Sequence, residues 1–136
     1  MNIRVVDTAD APAPSGAYSQ AVIAGGLVFT GGMAPIDVAT GELVTGDAAA
    51  ETRLVMRNLA RVLEAAGTSM ASVVKATVHL HELDRDWDAF DEAFGEFFAE
   101  GRAPARTTVG SRLGGFLVEI DLVAVLPAAG TQEERA

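Results

Sequence analysis

The sequence predicts an α+β domain, and three observations predict it. Apolar residues recur at three- and four-residue steps in two long segments, the period of a helix that buries one face. Other segments alternate with period two, as half-buried strands do. A last stretch, Phe116 to Leu126, is apolar on both faces, which suits a strand covered on each side. The 136 residues match the size of one domain. Its core is expected from about Ala11 to Leu126, and residues 127–136, small, polar and charged, are expected to fray.

The elements follow in order. Residues Met1 to Asp10 carry charges at Arg4, Asp7 and Asp10 and lack the apolar run of a secretory signal. Ala11 to Ser15 hold two prolines and read as an extended opening loop. Tyr18 to Ala24 and Leu27 to Thr30 read as strands joined at Gly25-Gly26, a pair suited to the positive φ of a tight hairpin. Gly31-Gly32 then leave backbone amides uncovered, which serves either a bulge or a place where a ligand meets the main chain. Pro35 to Gly46, centred on Asp37, Thr40 and Gly41, has the composition of a loop or small irregular hairpin.

From Asp47, residues Thr52, Val55, Met56, Leu59, Val62, Leu63 and Ala66 form one helical stripe, with Glu51, Arg57, Arg61 and Glu64 largely away from it. Gly67 suits the C-terminal cap. Val74 to His81 turns Ala76, Val78 and Leu80 to one side and Lys75, Thr77, His79 and His81 to the other. A second helix is expected from about Asp84 to Glu100, with Trp87, Phe90, Phe94, Phe97 and Phe98 read as core packing. Gly101 and Pro104 end it, and a short strand begins near Arg106. In the final strand Phe116, Val118, Ile120, Leu122, Ala124 and Leu126 face one way. Leu117, Glu119, Asp121, Val123 and Val125 face the other. Two helices cover one sheet face, so association between copies is the expected cover for the second.

Composition narrows the function. Nineteen acidic against ten basic residues give a formal charge of −9, which argues against nucleic acid and anionic membrane as partners. The absence of cysteine excludes a disulfide framework, a thiolate nucleophile and Cys-ligated metal. No segment approaches the roughly 20 apolar residues of a bilayer span, so the cytoplasm is the default address. Dinucleotide and P-loop fingerprints are missing. His79 and His81 share a strand face, but would hold a metal only if acidic residues or another subunit completed the shell.

Two residues stand out. Arg106, between Pro104-Ala105 and Thr107-Thr108, offers a planar fork for a carboxylate or, alternatively, a structural ion pair. Glu119 lies in Leu117-Val118-Glu119-Ile120, where a carboxylate is costly unless paired, protonated or wet at a sheet edge. Asp121 on the same face favours the wet edge.

Six fragments in consistent order carry a resemblance: Ser15-Gly16-Ala17-Tyr18-Ser19-Gln20-Ala21, Leu27-Val28-Phe29-Thr30-Gly31-Gly32, Thr40-Gly41-Glu42-Leu43, Leu63-Glu64-Ala65-Ala66-Gly67, Pro104-Ala105-Arg106-Thr107-Thr108 and Val118-Glu119-Ile120. From about Ala11 to Leu126 the chain resembles the RidA family, also called YjgF, of reactive-intermediate deaminases. The resemblance implies a chorismate-mutase-like α+β fold, its sheet covered by two helices. It also implies a homotrimer with the sheets facing inward and ligand pockets between subunits. Active members hydrolyse 2-imino and enamine acids to 2-oxo acids and ammonia, with no metal or organic cofactor. By resemblance, Arg106 clamps the substrate carboxylate, Glu119 positions or activates water, and Tyr18 lines the pocket from the adjacent subunit. Main-chain groups near Gly31 and Thr108 would complete the orientation.

The chain also departs from the family pattern. Gly31 stands where serine is common and Met33 where glutamine is. Asp91 and Phe94 stand for an asparagine and a tyrosine, and the segment Arg112 to Gly115 is shorter. Asp91 would repel a carboxylate substrate if it reached the pocket, and Phe94 has no hydroxyl to donate. These departures keep two other readings open: hydrolysis of a larger, pathway-specific imine or enamine, and a non-catalytic trimer that binds small molecules or proteins.

Overall fold

The computed structural model describes residues 2–128. Six strands, β1 (Arg4–Val6), β2 (Ala21–Ala24), β3 (Leu27–Thr30), β4 (Val73–Leu80), β5 (Ala105–Gly110) and β6 (Val118–Val125), form one sheet in the order β1-β2-β3-β6-β4-β5. Neighbours run antiparallel except β4 and β5, which are parallel. Helices α1 (Ala48–Ala66) and α2 (Leu83–Gly95) pack on one face, the α+β architecture read from the sequence.

Local chemistry sets the boundaries. Gly25 and Gly26 take φ values of 58° and 76°, so the β2–β3 connection is a tight hairpin. Asp47 caps α1 by accepting the Ala50 N–H at 2.8 Å. Gly67, at φ 94°, closes the helix through its own N–H to Glu64 O and the Thr68 N–H to Leu63 O. The stripe from Thr52 to Ala66 is buried as its period predicts. Glu51 departs from expectation. Set apart from the stripe by its charge, it is only 1% exposed, its carboxylate accepting the Leu117 N–H at 2.7 Å and the Gly46 N–H at 3.3 Å.

Other boundaries move. Strand β1 is an addition, too short to announce itself by alternation. β2 begins at Ala21 rather than Tyr18, because the buried Gln20 side chain bonds Thr8, Ala11 and Pro12 and so pins the opening loop beside it. α2 stops at Gly95, short of the expected Glu100; Phe97 and Phe98 follow in turns and still pack against the core. Trp87, read as core, is 41% exposed. Of the segment expected to fray, residues 129–136 lie outside the described residues.

Strand β6 lies between β3 and β4, an interior place. Val118, Ile120, Leu122 and Ala124 are buried against the helix side, as the alternation predicts. The opposite face carries Glu119, Asp121, Val123 and Val125 and has no second layer among the described residues. Phe29 and Val125, each 43% exposed, lie on that face as a surface suited to burial. Partial burial raises the Asp121 carboxyl above its usual pKa, an effect opposed by the positive fields of His79 and Lys75.

Candidate functional site

The predicted site residues fall into two groups on opposite faces of the sheet. Register decides the matter. Arg106 pairs with Ala76, and Ala76 with Leu122, so Arg106 shares the helix-side face with the buried Leu122. Glu119 pairs with His79 on the bare face. Within one chain, therefore, Arg106 and Glu119 lie on opposite faces of the sheet.

The first group surrounds a cavity of about 360 Å³ whose lining includes Ser15, Tyr18, Gly31, Met33, Phe116 and Glu119. Tyr18 is held at its mouth, its hydroxyl accepting the Ser15 N–H at 3.0 Å and bonding the Ser15 hydroxyl at 3.1 Å. The Gly31 N–H donates to Gln20 O, and Met33 exchanges backbone bonds with Ile120, which carries the glycine pair across to β6. A Cβ on Gly32 would sit 2.8 Å from Glu119 Oε2. The glycine pair thus admits a close approach, and the group that approaches is the Glu119 side chain. Tyr18, which the resemblance places on an adjacent subunit, shares this cavity with Glu119 of its own chain.

The second group is built on β5 and α2. Trp87, Phe90, Asp91 and Phe94 recur at helical spacing along α2, and the Arg106 guanidinium carbon lies 5.6, 5.0 and 5.2 Å from the three ring centres. Arg106 Nε donates to Thr108 Oγ1 at 2.8 Å and Nη1 donates to Asp91 Oδ1 at 2.7 Å. The arginine side chain is 19% exposed and the aspartate 55%. Rings, hydroxyl and carboxylate fix the guanidinium plane without enclosing it. Asp91 therefore pairs with the arginine, where sequence alone suggested a charge repelling substrate. Trp87 was missed; its signal was position, four residues before Asp91 and three before Phe90 on one helical face.

Among the described residues no cluster of histidine and acidic side chains is placed to hold a metal. His79 Nδ1 bonds the Ser111 hydroxyl at 2.6 Å, and His81 Nδ1 accepts the Leu113 N–H at 3.1 Å. Among the same residues no helix is long and apolar enough to cross a membrane.

Residues 8–126 match the family described as Endoribonuclease L-PSP. A RutC family protein of Pyrococcus horikoshii is 44% identical over 122 residues, 88% of this chain and 95% of that protein. A 2-iminobutanoate/2-iminopropanoate deaminase of Rattus norvegicus is 36% identical over 124 residues, 90% of this chain and 89% of the relative. Among solved structures, the Rid-family protein YyfA of Yersinia pestis superposes with a TM-score of 0.87 at 33% identity, covering 92% of this chain and 100% of its own. Sheet order, helix placement and these matches agree: the chain belongs to the RidA (YjgF) family, known also as the Endoribonuclease L-PSP family.

Proposed function

We propose that this chain hydrolyses 2-imino acids and their enamine tautomers to 2-oxo acids and ammonia, in sites assembled between the subunits of a homotrimer. The observation that carries the reading is the pairing of a plane-fixed Arg106 with a separate cavity that holds Glu119. The similarity to the rat deaminase supports the reaction class. Copies packed through their bare sheet faces would bring the cavity of one subunit to the edge strand β5 of the next and cover Phe29 and Val125. The single domain and small carboxylate-bearing substrate belong to the same proposal.

Each group has a role in the chemistry. Arg106 anchors the substrate carboxylate, with Thr108 and Phe94 holding the guanidinium in its plane. Tyr18 and the Gly31 main chain border the reacting carbon. Water adds to the iminium carbon, forming a C–O bond as the C=N π pair moves to nitrogen, and its proton passes to Glu119. Glu119 returns that proton to the amine of the carbinolamine. The C–N bond then breaks, ammonia leaves, and loss of the hydroxyl proton gives the 2-oxo acid. An intermediate already prone to hydrolysis needs orientation more than strong activation.

The test is ammonia release from short 2-imino acids generated in situ. Wild type should accelerate it, and Arg106→Ala and Glu119→Gln should each abolish most of the acceleration. Refolding the two variants together should restore on the order of a quarter of the wild-type rate, because some mixed sites then hold one intact Arg106 and one intact Glu119 from different chains. A wild-type rate equal to buffer would end the deaminase reading. No recovery on mixing would end the shared-site assembly.

A further inference from the structure

Resting on the deaminase reading, a second role emerges for Asp91: it sets which charge state of ligand the arginine accepts. In the free chain the Arg106 guanidinium is already paired with the Asp91 carboxylate. Nε is held by Thr108 and Nη1 by Asp91, so among the described residues only Nη2 lacks a partner. Asp91 Oδ2 likewise makes no hydrogen bond there, and more than half of the side chain is open to solvent. An ion pair so exposed contributes little to stability, so tying β5 to α2 is a weak reason to place an acid here.

We propose that Arg106 and Asp91 form one receptor for a zwitterion. Nη2 takes the ligand carboxylate, and Asp91 Oδ2 takes an N–H of the positively charged nitrogen on the adjacent carbon. A ligand carrying only a carboxylate meets a positive and a negative group side by side and gains little net attraction. A ligand carrying both charges complements both. The protonated 2-imino acid is such a ligand and is also the electrophilic form. The 2-oxo acid product has a ketone oxygen where the iminium nitrogen stood, and that oxygen faces an acceptor. Asp91 thus selects substrate over product, a discrimination built as much on repulsion as on attraction.

The test uses two stable ligands of one carbon skeleton, L-alanine for the zwitterion and pyruvate for the bare carboxylate. Trp87 is the only tryptophan and lies within 5.6 Å of the guanidinium, so its fluorescence reports binding directly. Wild type should bind alanine more tightly than pyruvate. Asp91→Asn keeps an oxygen for Nη1 but can present an amide donor outward, so the preference should reverse, the ratio of Kd values moving by about tenfold or more. An unchanged ratio would overturn the proposal, as would equal tightening of both ligands, which makes Asp91 a mere competitor. Wild type that binds neither ligand would overturn it too. Ammonia release measured in parallel separates the two claims. Normal turnover with an unchanged ratio removes only the zwitterion receptor, whereas a reversed ratio without turnover removes only the deaminase.

Discussion

Gly32→Ala isolates the placement of Glu119 from everything else in the molecule. The added Cβ would lie 2.8 Å from Glu119 Oε2 and 3.0 Å from its Cδ. Carbon–oxygen contacts close to about 3.3 Å, so the carboxylate must retreat by about 0.5 Å. The atoms met are the far end of a flexible side chain, and Gly32 is not among the glycines with positive φ, so the fold should absorb the change for under about 1 kcal/mol. Misplacement of a catalytic group by 1 Å costs on the order of 100-fold, so half that displacement should lower kcat by about tenfold. KM depends on carboxylate capture by Arg106 and should stay within about twofold. The assay is initial-rate ammonia release across substrate concentration, with Tm measured beside it. Gly31→Ala supplies the contrast. Its Cβ would meet the unyielding Ser19 carbonyl oxygen at 3.0 Å, so stability should fall more than in Gly32→Ala. A Gly32→Ala enzyme with wild-type kcat at wild-type Tm would refute the placement of Glu119 as the proton carrier.

Two further predictions concern stability. Glu51→Ala removes a buried carboxylate and leaves the half-buried Leu117 amide and the exposed Gly46 amide without their acceptor, and should cost about 1 to 3 kcal/mol, read from the denaturant midpoint. Glu51→Gln, which keeps one acceptor, should cost clearly less, and equal losses would show that the two amides find other partners. Asp121→Asn should raise Tm at neutral pH. The folded-state pKa of Asp121 is raised, so its contribution to stability is full below the unfolded value, about 3.9, and is lost as pH rises through the folded value. The gain from Asp121→Asn should therefore fade as the pH is lowered toward 3, and a gain independent of pH would contradict the assignment to burial of the charge.

Much of the fold was legible because its signals are local. Asp47 and Gly67 mark the ends of α1 by capping chemistry that needs no tertiary context. The alternation in β6 named its buried face residue by residue. What escaped depends on partners distant in sequence. Glu51 looks like any solvated helix acid until Leu117, far along the chain, brings an amide to it. Gln20 looks like a strand residue until the opening loop folds over its side chain. The site was legible as a list of residues but not as an arrangement. Whether Arg106 and Glu119 share a face turns on the register of β5 on β4 and of β4 on β6, and a shift of one residue in either would reverse the answer.

That division of the sheet has a consequence for when the protein can act. A chain just released from the ribosome carries both functional groups, yet its own backbone lies between them. Under the proposed assembly, activity appears only when copies have met, and specific activity falls on dilution as the assembly comes apart. Protein abundance would then work as a threshold. Below it the cell holds folded but silent chains, and above it each new subunit completes a site begun by another.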